Sequence, residues 1–218
     1  MMAMFKTRNL RLALQTAFLA IAFAAPGWAE SKDAPSAADV QAKLDYCKRC
    51  HQPSGQGLRA ASPIPRLAGQ QPEYFENQLH AFIEHRRVHS VMENVAHFLS
   101  PAMQKAIAEH FASLNPKPIG GAPRELVAGG KQIYEEGVPQ ANIPPCASCH
   151  GPEAKGNGQF PRLAGQLDDY IINKLLNWSN ERGQDIANPD TSAIMQPIAH
   201  TLTKAQIAAV AAYLNYLE

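Results

Sequence analysis

Two pentapeptides hold the residues of this sequence best suited to chemistry. Cys47-Lys48-Arg49-Cys50-His51 and Cys146-Ala147-Ser148-Cys149-His150 each set two thiols three positions apart and a histidine directly after the second. On a helix such thiols stand about one turn apart, so both can add to the vinyl groups of one haem while the next imidazole meets the iron. A neutral imidazole nitrogen is a strong axial ligand. Other uses of four cysteines explain less. A thioredoxin-like dithiol wants a strand-helix setting and has no need of the histidine. A zinc site gathers its ligands in one place, whereas these pairs belong to separate halves. Structural disulfides, the default for an even count in an exported chain, leave the two histidines unexplained.

Export is written in the first residues. Lys6, Arg8 and Arg11 precede an uncharged stretch from Leu12 to Ala29 that closes on Pro26, Gly27, Trp28 and Ala29. This is the layout of a secretory signal cut after Ala29. The alternative is an uncleaved anchor at the lower edge of a bilayer span, and Gln15, Thr16, Pro26 and Gly27 count against it. Over all 218 residues, 20 basic and 19 acidic side chains leave a net charge of +1, which excludes the basic field of a nucleic-acid binder. Without residues 1–29 the balance becomes 17 basic against 19 acidic, so the expected periplasmic protein is mildly acidic.

The remaining chain is one unit written twice. Pro65-Arg66-Leu67-Ala68-Gly69-Gln70 recurs letter for letter at Pro161-Arg162-Leu163-Ala164-Gly165-Gln166, and Met92 to Leu114 aligns without a gap on Met195 to Leu217, with 8 of 23 residues identical. The Pro- and Gly-rich run from Asn115 to Pro123 suits neither helix nor strand. It divides the chain into a first domain (30–114), a linker (115–124) and a second domain (125–218). Halves this small have marginal cores on their own, and a large buried macrocycle in each would supply the missing apolar area. The elements that must position the motifs read as helices, with no alternating strand pattern. Opening helices are predicted over Ala37 to Cys47 and Glu125 to Glu136, and middle helices over Tyr74 to Arg86 and Tyr170 to Arg182. The closing helices are capped by Ser100 and Thr203, and the second carries the stripe Ile207, Val210, Leu214, Leu217.

Each iron needs a sixth ligand or stays open for chemistry. Met92 and Met195 hold the same place in the repeat, in loop-like sequence ahead of the closing helix, and a thioether opposite histidine raises the reduction potential. His85, His89 and His97 are rivals near Met92, and His97 and His200 are repeat partners. Pro65 and Pro161 are assigned as carbonyl acceptors for the second ring N–H of His51 and His150. Arg66 and Arg162 could pair with haem propionates, and Gly69 and Gly165 allow tight turns. His80 and His110 read as solvated.

Together these residues resemble a dihaem class I cytochrome c, and specifically the cytochrome c4 family. The likeness rests on CxxCH in each half, the P-x-L-x-G-Q segment, the methionine before the closing helix, and Asn180-Glu181-Arg182 leading to Ile194-Met195. It implies an all-α fold of two tandem class I domains, each around one covalent haem c, with His51 and Met92 on the first iron and His150 and Met195 on the second. It also implies a periplasmic electron carrier, sometimes associated with the membrane surface, serving redox protein partners such as a donor complex and a terminal oxidase. The stretch Arg86 to His97 departs from the family in its crowd of histidines and its lack of a glycine beside Met92. Two other functions remain in view: the dihaem subunit of a dehydrogenase, and a small dihaem oxidoreductase with one open iron.

Overall fold

Serine or threonine side chains cap three of the described helices. Ser36 accepts the Asp39 N–H at 3.2 Å to open α1 (Ala37–His51). Ser100 accepts that of Met103 at 3.3 Å ahead of α4 (Pro101–Ala112), whose proline at the first position gives up no helical bond. Between them lie α2 (Pro72–Ile83) and α3 (Ser90–His97). The computed structural model describes residues 34–182 and 191–218, which belong to one compact unit; the expected signal, residues 1–29, lies outside them.

The second half repeats the scheme in more pieces. It contains α5 (Val127–Glu136), the single turn α6 (Ala147–His150), α7 (Asp168–Leu176), the single turn α8 (Trp178–Glu181), α9 (Ser192–Thr201) and α10 (Lys204–Tyr216). Thr203 and Gln206 form a reciprocal capping box at the start of α10. Isolated bridges such as Leu58 to Ile64 are the only extended pairings among the described residues, which contain no sheet. The fold is all-α.

Three expectations need adjusting. The opening helix α1 runs past Cys47 to His51, so the whole first motif is helical. The middle helix of the second half breaks at Asn177, and α2 stops at Ile83 because His85 takes a left-handed φ of 56°. Both methionines sit on helices, Met92 on α3 and Met195 on α9, rather than in loops. Pro197 falls inside α9 and removes one of its backbone donors, a loss the helix tolerates.

Each half has its own apolar core. In the first, Leu44, Phe75, Leu79, Phe82, Ile107 and Phe111 meet, with Phe75 stacked on Phe111 at 5.9 Å between ring centres. In the second, α5 crosses α10 through Tyr134, Val210, Ala211, Tyr213 and Leu214, and Ile143, Leu202 and Ile207 extend the core. The crossing is close because Gly130 has no side chain: a Cβ there would stand 1.9 Å from the Ala209 carbonyl oxygen.

The halves are joined by buried polar contacts rather than by a continuous apolar core. Asn215, fully buried, donates to the Gln166 carbonyl at 3.0 Å and accepts the Ala122 N–H at 3.3 Å, tying the linker to α10. Arg59 donates to the Gly120 carbonyl at 2.7 Å and pairs with Asp168. On another side of the junction Gln78 accepts from both Arg87 and Arg182, each at 2.9 Å, while Arg87 also donates to the Tyr170 hydroxyl at 2.7 Å. Each of these guanidinium groups lies over an aromatic ring, Phe82 for Arg87 and Trp178 for Arg182.

The α5–α10 crossing gives a paired test. Gly130→Ala should lower Tm by roughly 4–8 °C through about 2 kcal/mol of overpacking against backbone that cannot move aside. Gly129→Ala, one residue away with nothing within 4 Å of its added methyl, should leave Tm unchanged or raise it. Thermal unfolding of the haem-loaded variants measures both.

Candidate haem attachment sites

Both motifs end a helix on their histidine. Cys47 and Cys50 lie in the last turns of α1, half-buried and exposed, and His51 is its final, buried residue. Cys146 precedes α6 and is half-buried, Cys149 is exposed, and the buried His150 closes the turn. None of the four cysteines is joined to another in a disulfide. Burial raises the pKa of the Cys47 thiol and drives that of Cys146 up to about 11, the reverse of an activated redox dithiol. Among the described residues no three His, Cys, Asp or Glu side chains cluster in a way that could hold a metal ion, so the two motifs do not gather into a zinc site.

The histidines are held in the same way twice. His51 Nδ1 lies 3.0 Å from the Pro65 carbonyl oxygen, and His150 Nδ1 lies 3.0 Å from that of Pro161. A carbonyl only accepts, so Nδ1 carries the proton and Nε2 keeps a free lone pair. Burial lowers both imidazole pKa values, against the opposing pull of the carbonyl, and keeps the rings neutral. Neutral imidazole with Nδ1 tethered is the form that binds iron.

The loops that present the two carbonyls need glycine at one matched place. Gly57 and Gly156 each donate their N–H to the carbonyl of the motif histidine, at 3.0 and 2.9 Å. Both have positive φ, and a Cβ would come within 2.4 Å of the Ile64 oxygen or 2.3 Å of the Phe160 oxygen. Sequence reasoning did not single them out. Their matched spacing after each CxxCH was the available signal, because a positive φ under tight approach admits little else. Leu67 and Ala68 then bond back to the Gly55 carbonyl, and Leu163 and Ala164 to that of Ala154, fixing the P-x-L-x-G-Q turns.

Met92 and Met195 are half-buried, and Met92 packs against the first core. Around Met92 the histidines take other work. His89 caps α3 by accepting the Met92 N–H at 3.3 Å, His85 is exposed beside Glu93, and His97 is exposed against Phe98. His200 is exposed and pairs with Ser179. His80 is exposed as expected, but His110 buries its Nε2 without a partner. Between α1 and α3 lies a cavity of about 710 Å³ lined by Tyr46, Cys47, Val91, Val95, Phe98 and Leu99.

Arg66 and Arg162 are buried at the junction of the halves. Arg66 donates through Nε to the Ala68 carbonyl at 3.1 Å and through Nη2 to that of Pro116 at 2.9 Å. Arg162 donates through Nε to the Ala164 carbonyl at 3.1 Å and through Nη2 to Asn115 at 3.5 Å. Burial and the nearby Arg162 charge lower Arg66 to about 10, and its buried Nη1 has no partner. The residues fit a covalently held haem: cysteine thiols, a tethered neutral imidazole and a soft thioether form the right donor set, and a cavity with largely apolar walls adjoins Cys47.

Comparison with known proteins agrees with this geometry. The family model described as Cytochrome c matches residues 127–218. A cytochrome c4 of Thiocapsa roseopersicina is 38% identical over 188 residues, covering 84% of this chain and 92% of that protein. The chain belongs to the cytochrome c4 family. The solved structure of the Acidithiobacillus ferrooxidans cytochrome c4 superposes with a TM-score of 0.67 at 37% identity, covering 79% of this chain and 99% of that one. The thiosulfate dehydrogenase electron acceptor of Thiomonas intermedia is 35% identical over 171 residues, covering 77% of this chain and 76% of that protein. This chain is accordingly a dihaem electron-transfer protein with covalent haem c and redox protein partners, not an enzyme.

Replacing Cys146 and Cys149 together by serine should halve the haem that stays with the chain after acid-acetone extraction, measured as pyridine haemochrome per polypeptide. Retention of both haems would show that the second motif is not an attachment site.

Proposed function

We propose that His51 and Met92 are the axial ligands of the first iron and His150 and Met195 those of the second, in two tandem domains (30–114 and 125–218) joined by the linker 115–124. The observation that carries the reading is the repeated tether of each motif histidine to the Pro65 or Pro161 carbonyl, which aims an unprotonated Nε2 away from the loop. Haem c, when bound, supplies an iron that alternates between the ferric and ferrous states one electron at a time.

The chain's own residues orient and insulate. Cys47, Cys50, Cys146 and Cys149 fix the macrocycles, and the apolar cores built on Phe111 and Tyr134 exclude water on the protein side. Methionine opposite histidine sets a high potential, which suits a carrier and leaves no iron position for a substrate. Residues 1–29 direct export and are removed by a cut after Ala29, so the protein works in the periplasm. No helix among the described residues is long and apolar enough to cross a membrane.

Likeness to a thiosulfate dehydrogenase electron acceptor supports a dehydrogenase as the electron donor. A terminal oxidase or another acceptor completes the transfer. For the first iron His89, three residues before Met92 and bonded to its N–H, is the rival ligand to test.

Met195→Ala should lower the potential of one haem and open its iron to carbon monoxide. Met92→Ala should do the same to the other, while His89→Ala leaves both potentials in place. Redox titration and carbon monoxide difference spectra measure all three. Loss of the low-spin state in His89→Ala with a silent Met92→Ala would transfer the first ligand to His89.

A further inference from the structure

The two glutamines that end the P-x-L-x-G-Q repeats reach into the opposite half, although each Oε1 also accepts the next N–H of its own half, that of Gln71 or Leu167, at 3.0 Å. Gln166 Oε1 accepts the Arg66 N–H at 2.8 Å, and its Nε2 donates to the Arg66 carbonyl at 3.0 Å. Gln70 does the same to Arg162, at 2.7 and 3.2 Å. All four side chains are buried. Each glutamine therefore clamps the backbone that follows the proline of the opposite half.

The Arg66 N–H belongs to the same peptide group as the Pro65 carbonyl that receives His51. The chain of contacts runs from His51 Nδ1–H to the Pro65 oxygen, through one amide, and from the Arg66 N–H to Gln166. Its twin runs from His150 through the amide of Pro161 and Arg162 to Gln70. An amide whose N–H is donated to a good acceptor gains electron density on its oxygen, and that oxygen becomes a stronger acceptor in turn. A stronger acceptor at Nδ1 makes the imidazole a more basic ligand, which favours the ferric state.

We propose that Gln166 and Gln70 are crossed positioning residues: each sets the basicity of the proximal histidine in the other half, so that each half holds down the reduction potential of the haem it does not bind. The inference rests on the ligation proposed above. Because the amides form relays, an electron entering one half alters the hydrogen bonding of a glutamine anchored in the other. One path runs through His51, Pro65, Arg66 and Gln166, and its twin through His150, Pro161, Arg162 and Gln70.

The test is a redox titration of the haem-loaded, full-length variants Gln166→Met and Gln70→Met, with the haem resonances assigned to halves by nuclear Overhauser contacts to Phe111 or Tyr134. Methionine keeps the length of glutamine but cannot accept as a carboxamide does. Gln166→Met should shift the first-half potential upward and leave the second, and Gln70→Met should show the opposite pattern. A shift confined to the variant's own half, equal shifts in both, or none would overturn the proposal. Should either variant fail to fold, amide exchange in the wild-type protein decides: the Arg66 and Arg162 N–H groups should exchange more slowly in the ferric than in the ferrous state, and equal rates would overturn the coupling. Haem count and the methionine-to-iron charge-transfer band are recorded first. A missing haem or a missing band would overturn the ligation and the coupling with it, whereas normal haems without the crossed pattern overturn the coupling alone.

Discussion

The amide between Pro65 and Arg66, and its repeat between Pro161 and Arg162, is bonded at both of its polar ends to different parts of the molecule. Its oxygen holds a motif histidine, and its N–H is held by a glutamine of the other half. Much of the surrounding structure exists to keep that amide in place. Gly57 and Gly156 admit the close turn behind it, and the carbonyls of Gly55 and Ala154 catch the residues that follow. Leaving any of these buried groups unpaired would cost about 1–3 kcal/mol, so the loop, the histidine and the junction stand or fall together.

The junction also carries buried positive charge. Arg87 and Arg182 share the Gln78 oxygen, and Arg66 lies near enough to Arg162 to feel its charge. Burial of such groups is tolerable because carbonyl, amide, phenol and aromatic partners take nearly every donor.

Much of this was legible in the sequence. The CxxCH pairs, the exact PRLAGQ repeat and the capping residues Ser100 and Thr203 are local signals, and local signals survive without knowledge of the fold. The tether to Pro65 and Pro161 was legible because a rigid carbonyl acceptor at a repeated place has few other uses. The placing of Met92 and Met195 on helices was not, since a histidine-rich run surrounds the one and Pro197 follows the other. Nor was the role of Gln70 and Gln166. Within one half each is only a polar residue after a turn, and its partner stands 92 or 100 positions away. The arginines illustrate the same limit: Arg66 and Arg162 read as loop residues, and only the fold turns them inward onto the linker.

The most direct test of the account is an optical spectrum of the exported, haem-matured protein, oxidised and then reduced, with haem counted per chain and carbon monoxide added last. Two covalent low-spin haems, a methionine-to-ferric charge-transfer band of matching intensity and no response to carbon monoxide are predicted. A high-spin or carbon monoxide-binding fraction equal to one haem would contradict it, because one of the two irons would then lack its methionine.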